Sequence, residues 1–115
     1  MNPRHRISTA IQRAAARGTP ALVAYLTAGF PRREAFREHV LRLARAADVI
    51  EVGVPFTDPM ADGVTIQRAS LAALAQGVSL RWILGELEAL RDLEVPVLLM
   101  SYLNPLLAFG IGRLA

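Results

Sequence analysis

The chain has 115 residues, 53% of them hydrophobic and 20% charged, with a formal net charge of +3 and no cysteine. That length and apolar content suit one small domain with a real core and exclude a disordered chain. Disulfides, thiolate metal sites and cysteine nucleophiles are excluded, and because all 13 basic residues are arginine, so is a lysine Schiff base.

In chain order, Ile7, Ala10, Ile11 and Ala14 fall on one face at helical spacing, which predicts a leading helix over residues 4–17 stopped by Gly18 and Pro20. The continuous apolar run at 21–27 predicts a first strand buried on both faces, ended by Gly29 and Pro31. From 32 to 47, Phe36, Val40, Leu43 and Ala47 predict a helix that covers one face of a sheet. Residues 48–54 predict the second strand and 64–76 an alanine-rich helix. Ser79 then caps a further helix running towards Leu93. Residues 95–102 predict the third strand, Asn104-Pro105 opens a loop, and 106–115 begin another helix. Strands alternating with helices point to right-handed βαβ units around a parallel sheet. A complete (β/α)8 barrel needs ~250 residues, so a barrel of this kind would be present here only as its N-terminal portion.

The many arginines before residue 46 have Glu34 and Glu38 among them and no interleaved stacking aromatics, so they read as a solvated face and not as a nucleic-acid surface. His5 and His39 lack ligand spacing, so no metal site is expected. No apolar run approaches the ~20 residues of a membrane span, and the N-terminal segment has no apolar h-region. A cytoplasmic location is expected.

The chemistry concentrates after the strands, where parallel α/β folds collect their functional groups. Glu51 interrupts the apolar run Val49-Ile50-Glu51-Val52, and a carboxylate inside a strand is unfavourable unless it has a role. Its side chain points away from the face of Ile50 and Val52, towards an interior where low dielectric favours a proton donor. Its alternative is an ion pair with a buried arginine from the part of such a barrel that is not in this chain. Asp62, on the Pro/Gly-rich loop that follows, suits a hydrogen bond from a ring N–H; its alternative is the N-cap of the next helix. Asp58 before Pro59 reads as a turn or a partner-facing residue. Tyr25 and Tyr102 offer an aromatic wall, with simple core packing as their alternative.

The segment Glu51-Val52-Gly53-Val54-Pro55-Phe56-Thr57-Asp58-Pro59-Met60-Ala61-Asp62-Gly63-Val64-Thr65-Ile66-Gln67 closely resembles the signature of the tryptophan synthase alpha subunit family. Tyr25-Leu26-Thr27-Ala28-Gly29-Phe30-Pro31 upstream and Leu99-Met100-Ser101-Tyr102-Leu103-Asn104-Pro105 downstream agree in order and spacing. The resemblance implies a (β/α)8 TIM barrel, of which the leading helix and first three strands with their helices are here. It implies a lyase of tryptophan biosynthesis that cleaves indole-3-glycerol phosphate to indole and glyceraldehyde 3-phosphate. Glu51 then matches the general acid/base that protonates the indole ring carbon, and Asp62 the carboxylate that binds the indole N–H. Tyr25, Met100 and Tyr102 match the apolar indole pocket. Asp58 and Pro59 match the loop facing the beta subunit in an alpha2beta2 tetramer. No cofactor belongs to the alpha reaction, pyridoxal phosphate (PLP) being confined to the beta partner. The family's phosphate-binding loops follow later strands than these three, so the alternative is a catalytically incomplete fragment or a module that docks to the beta subunit.

Overall fold

The structure, a computed structural model, describes residues 3–58 and 60–114. Its elements are α1 (Pro3–Ala16), β1 (Val23–Thr27), a 3-10 turn (Arg33–Ala35) leading into α2 (Phe36–Ala44), β2 (Val49–Gly53), α3 (Val64–Ala75), α4 (Leu80–Ala89), β3 (Val97–Met100), α5 (Leu103–Phe109) and α6 (Ile111–Leu114). The three strands form one parallel sheet in the order β1-β2-β3.

Register decides which side chains meet. Ala24, Ile50 and Val97 stand in one row, and Leu26, Val52 and Leu99 in the next. These rows share the outer face and pack into a core with Phe36, Val40, Ala73, Val78, Leu80 and Ile83 from the helices. Ile50, Val52, Val40 and Ile83 are wholly buried. Each such side chain contributes roughly 1.5–3 kcal/mol by leaving water. Phe36 and Trp82 lock α2 to α4 with ring centroids 5.4 Å apart, and an Arg37–Glu86 ion pair joins the same two helices at the surface.

The alternate rows, Tyr25-Glu51-Leu98 and Thr27-Gly53-Met100, share the inner face. The sequence predicts β1 buried on both faces, but its Val23 and Tyr25 are exposed on the inner face, as is Met100 of β3, whereas Val49, in register with Val23, is fully buried. At the N-terminal end of the strands, α1 closes the sheet. Ala14 is fully buried there, and Thr19 Oγ1 donates to the Ala14 carbonyl at 3.2 Å. Arg17 pairs with Asp48 at 3.1 Å, the second Asp48 oxygen accepts the Leu22 N–H at 2.8 Å, and Arg6 donates to the carbonyls of Leu93 and Glu94 at 3.0 Å each.

The last helical segment differs from expectation. The sequence predicts a loop at Asn104-Pro105, yet α5 starts at Leu103, with Pro105 inside its first turn. A proline there has no intrahelical hydrogen bond to lose. Gly110, at φ 105°, then breaks the helix before α6.

Candidate active site

The C-terminal ends of the strands carry every candidate residue that the structure describes. Backbone bonds brace this end: the Ala28 N–H donates to the Gly53 carbonyl at 3.0 Å, and the Val54 N–H to the Met100 carbonyl at 2.9 Å. A cavity of ≈ 100 Å³ opens there, lined by Tyr25, Asp62, Met100 and Tyr102, with Val54, Ala61, Ser70 and Ser101. Four of the candidate residues, drawn from β1, the β2–α3 loop and the end of β3, therefore share one pocket. Ser70 and Ser101 were not picked out from sequence; the signal for Ser70 is a polar residue on the apolar stripe of α3, between Ala69 and Ala73.

Glu51 stands beside this cavity and not in its lining. It is half-buried on the inner face, paired in register with Tyr25 on one side and Leu98 on the other. Its enclosure is partial, because Tyr25 beside it is exposed. Among the described residues no ion pair involves Glu51. Asp62 is half-buried, and the N-cap of α3 is Gly63, which removes the capping reading of Asp62. The Asp62 carbonyl accepts a hydrogen bond from Gln67 Nε2 at 2.9 Å, which ties the loop to α3.

The two tyrosines are differently employed. Tyr102 stacks at 5.4 Å on Phe56, and its hydroxyl oxygen accepts the Ala61 N–H at 2.9 Å, so it pins the acidic loop one residue from Asp62. That second job was not legible from residue type. Tyr25 leans along the sheet until its hydroxyl meets Thr27 Oγ1 at 3.2 Å. Burial pushes the Tyr25 phenol above its usual range, and the nearby Asp62 and Glu51 charges push the same way, while the Thr27 hydrogen bond opposes them. The phenol therefore stays a neutral O–H at neutral pH. Asp58 is exposed on the outer side of the loop, where its carbonyl accepts the Met60 N–H at 2.9 Å. Pro59 lies outside the described residues. No group of three His, Cys, Asp or Glu among the described residues could hold a metal ion.

Comparison with known proteins gives one answer. The family model for the tryptophan synthase alpha chain matches residues 11–115. A tryptophan synthase alpha chain from Nitratidesulfovibrio vulgaris is 48% identical over 110 residues, covering 94% of this chain and 43% of that protein. One from an Azoarcus species is 50% identical over 109 residues, covering 91% of this chain and 40% of the relative. Among solved structures, tryptophan synthase subunit alpha from Legionella pneumophila superposes with a TM-score of 0.86 at 39% identity, over 91% of this chain and 41% of that one. The aminoacrylate-bound form of tryptophan synthase from M. tuberculosis gives 0.88 at 36% identity, over 95% and 45%. The chain thus spans less than half the length of the relatives it matches, and its three strands and their helices correspond to the N-terminal part of a (β/α)8 barrel.

Proposed function

The chain belongs to the tryptophan synthase alpha chain family, and we propose that it carries the proton-transfer and ring-binding part of that family's lyase site. The reaction is cleavage of indole-3-glycerol phosphate to indole and glyceraldehyde 3-phosphate in tryptophan biosynthesis. The observation that carries this reading is the gathering of Tyr25, Asp62, Met100 and Tyr102 around one cavity, with Glu51 next to Tyr25 in the sheet.

The roles follow from the chemistry of the bond. Carbon–carbon cleavage next to an indole ring is easy only when the ring can take back the bonding electrons. A proton delivered by Glu51 to the ring carbon at the scissile bond leaves positive charge on the ring nitrogen. The Asp62 carboxylate accepts the ring N–H and opposes that charge, a charge-assisted bond stronger than a neutral one. The Glu51 carboxylate left by that transfer then takes the proton of the glycerol hydroxyl on the neighbouring carbon as the bond breaks, leaving an aldehyde, and the electron pair restores the indole. Tyr25, Met100 and Tyr102 supply apolar and aromatic surface for the flat ring. These steps employ only carboxylates and a hydroxyl, so the reaction calls for no cofactor; PLP belongs to the beta partner. The exposed Asp58 with Pro59 faces the beta subunit in an alpha2beta2 assembly, and the compartment is cytoplasmic. No helix among the described residues is long and apolar enough to cross a membrane.

A second reading is favoured by the coverage of 40–45% of each relative: the chain holds the ring chemistry but not the phosphate grip, and is catalytically incomplete or a docking module. Indole release from indole-3-glycerol phosphate, measured for the chain and for Glu51→Gln, separates the two. The lyase reading expects release that Glu51→Gln abolishes with the circular-dichroism spectrum unchanged. Equal release from both proteins sinks the Glu51 assignment, and release from neither selects the second reading.

A further inference from the structure

Gly53 ends β2 on the inner face, in register with Thr27 of β1 and Met100 of β3. Its backbone lies in a strand and is not at positive φ, so the main chain does not call for glycine there. What excludes a side chain is Tyr25. A Cβ at Gly53 would stand 2.6 Å from Tyr25 Cζ and 2.9 Å from Cε2, far inside contact distance. The Tyr25 ring therefore occupies the space that any other residue at 53 would fill. It starts from the row of Glu51, crosses to β2 at the row of Gly53, and its hydroxyl rests on Thr27 in that same row. The ring thus lies over the Gly53 row at the strand end, next to the Glu51 row, and forms part of the cavity wall with Asp62.

We propose that Gly53 and Thr27 form a seat for the Tyr25 ring, and that the seat fixes the aromatic wall beside the Glu51 and Asp62 carboxylates. This rests on the reading of the pocket as an indole site. On that reading a flat ring must touch both carboxylates, and the seat determines where its face can lie. Gly53 touches no substrate and acts only through Tyr25.

The test uses the whole chain and two readouts. The first is the ring NMR signals of its two tyrosines followed against pH, with Tyr102→Phe identifying which signal is which. Gly53→Ala is expected to shift the Tyr25 signals and move its titration to lower pH, because the evicted ring loses the burial that holds it up. A folded Gly53→Ala with unaltered Tyr25 signals overturns the proposal. Should Gly53→Ala fail to fold, the double variant Tyr25→Ala/Gly53→Ala decides: restored folding supports a clash with the ring, and continued loss of folding overturns it. The second readout is indole affinity. Gly53→Ala is expected to weaken it about 5-fold or more in the parent and to change nothing further in the Tyr25→Ala background. An equal loss in both backgrounds overturns the proposal. If indole binds to no form, the parent included, the indole-site reading fails, while the tyrosine signals still decide the seat.

Discussion

Tyr25 is the residue that reports on its neighbours, because its phenol feels burial first and then the charges of Asp62 and Glu51. Both charges disfavour the phenolate. Asp62→Asn and Glu51→Gln should therefore each move the Tyr25 titration to lower pH, with the Asp62 change the larger, as followed by ultraviolet difference absorbance. A titration that stays put in both variants would separate the carboxylates from the tyrosine and dissolve the cluster. As candidates, Glu51 stood out in the sequence as a charge inside an apolar strand, whereas Asp62, an ordinary residue for a Pro/Gly loop, was singled out by its place after Glu51 and by the family signature. Thr27 and Gly53 were not assigned to Tyr25 from sequence. Their role depends on how far the Tyr25 ring leans along the sheet, and no spacing encodes that.

At the level of elements, Asp48 just before β2 ties together Arg17, which follows α1, and Leu22, which precedes β1, so this junction responds to pH. The Leu22 N–H and the Arg17 guanidinium hold the Asp48 carboxyl below its usual pKa. A depressed folded-state value means this stabilisation is complete above the unfolded pKa of about 3.9 and is lost as pH falls through the lower folded value. Asp48→Asn should flatten the acid limb of a stability–pH profile measured by urea unfolding, leaving the neutral region with a smaller, pH-independent loss. An unchanged acid limb would assign the acid sensitivity elsewhere. The order of helices and strands was readable because continuous apolar runs bounded by Gly and Pro alternate with apolar residues at helical spacing. The start of α5 was not, because Pro105 signals a loop in isolation and only its place in a first turn makes it compatible with a helix.

For the molecule as a whole, burial differs between the sheet faces and within the inner one, where Val49 is fully buried and its neighbour in register, Val23, is exposed. Ile50 is fully buried on the outer face, and Ile50→Ala should lower unfolding free energy by about 2–5 kcal/mol. Val23, on the inner face, is 47% exposed, and Val23→Ala should lower it by about 1 kcal/mol or less. Equal losses in denaturant melts would mean that the inner face is covered in solution. The apolar run of β1 gave no hint of this asymmetry, since a strand covered on both faces and one covered on a single face are equally apolar there. On the proposed reading the pocket at the strand ends takes an indole ring with Asp62 on its N–H, a contact that calorimetric titration with indole and with 1-methylindole measures. A hydrogen bond to a charged group contributes about 1.5–3 kcal/mol, so N-methylation and Asp62→Asn should each weaken binding by roughly 10-fold or more, with little added when both are combined. Indole and 1-methylindole binding equally well, with Asp62→Asn without effect, would contradict it.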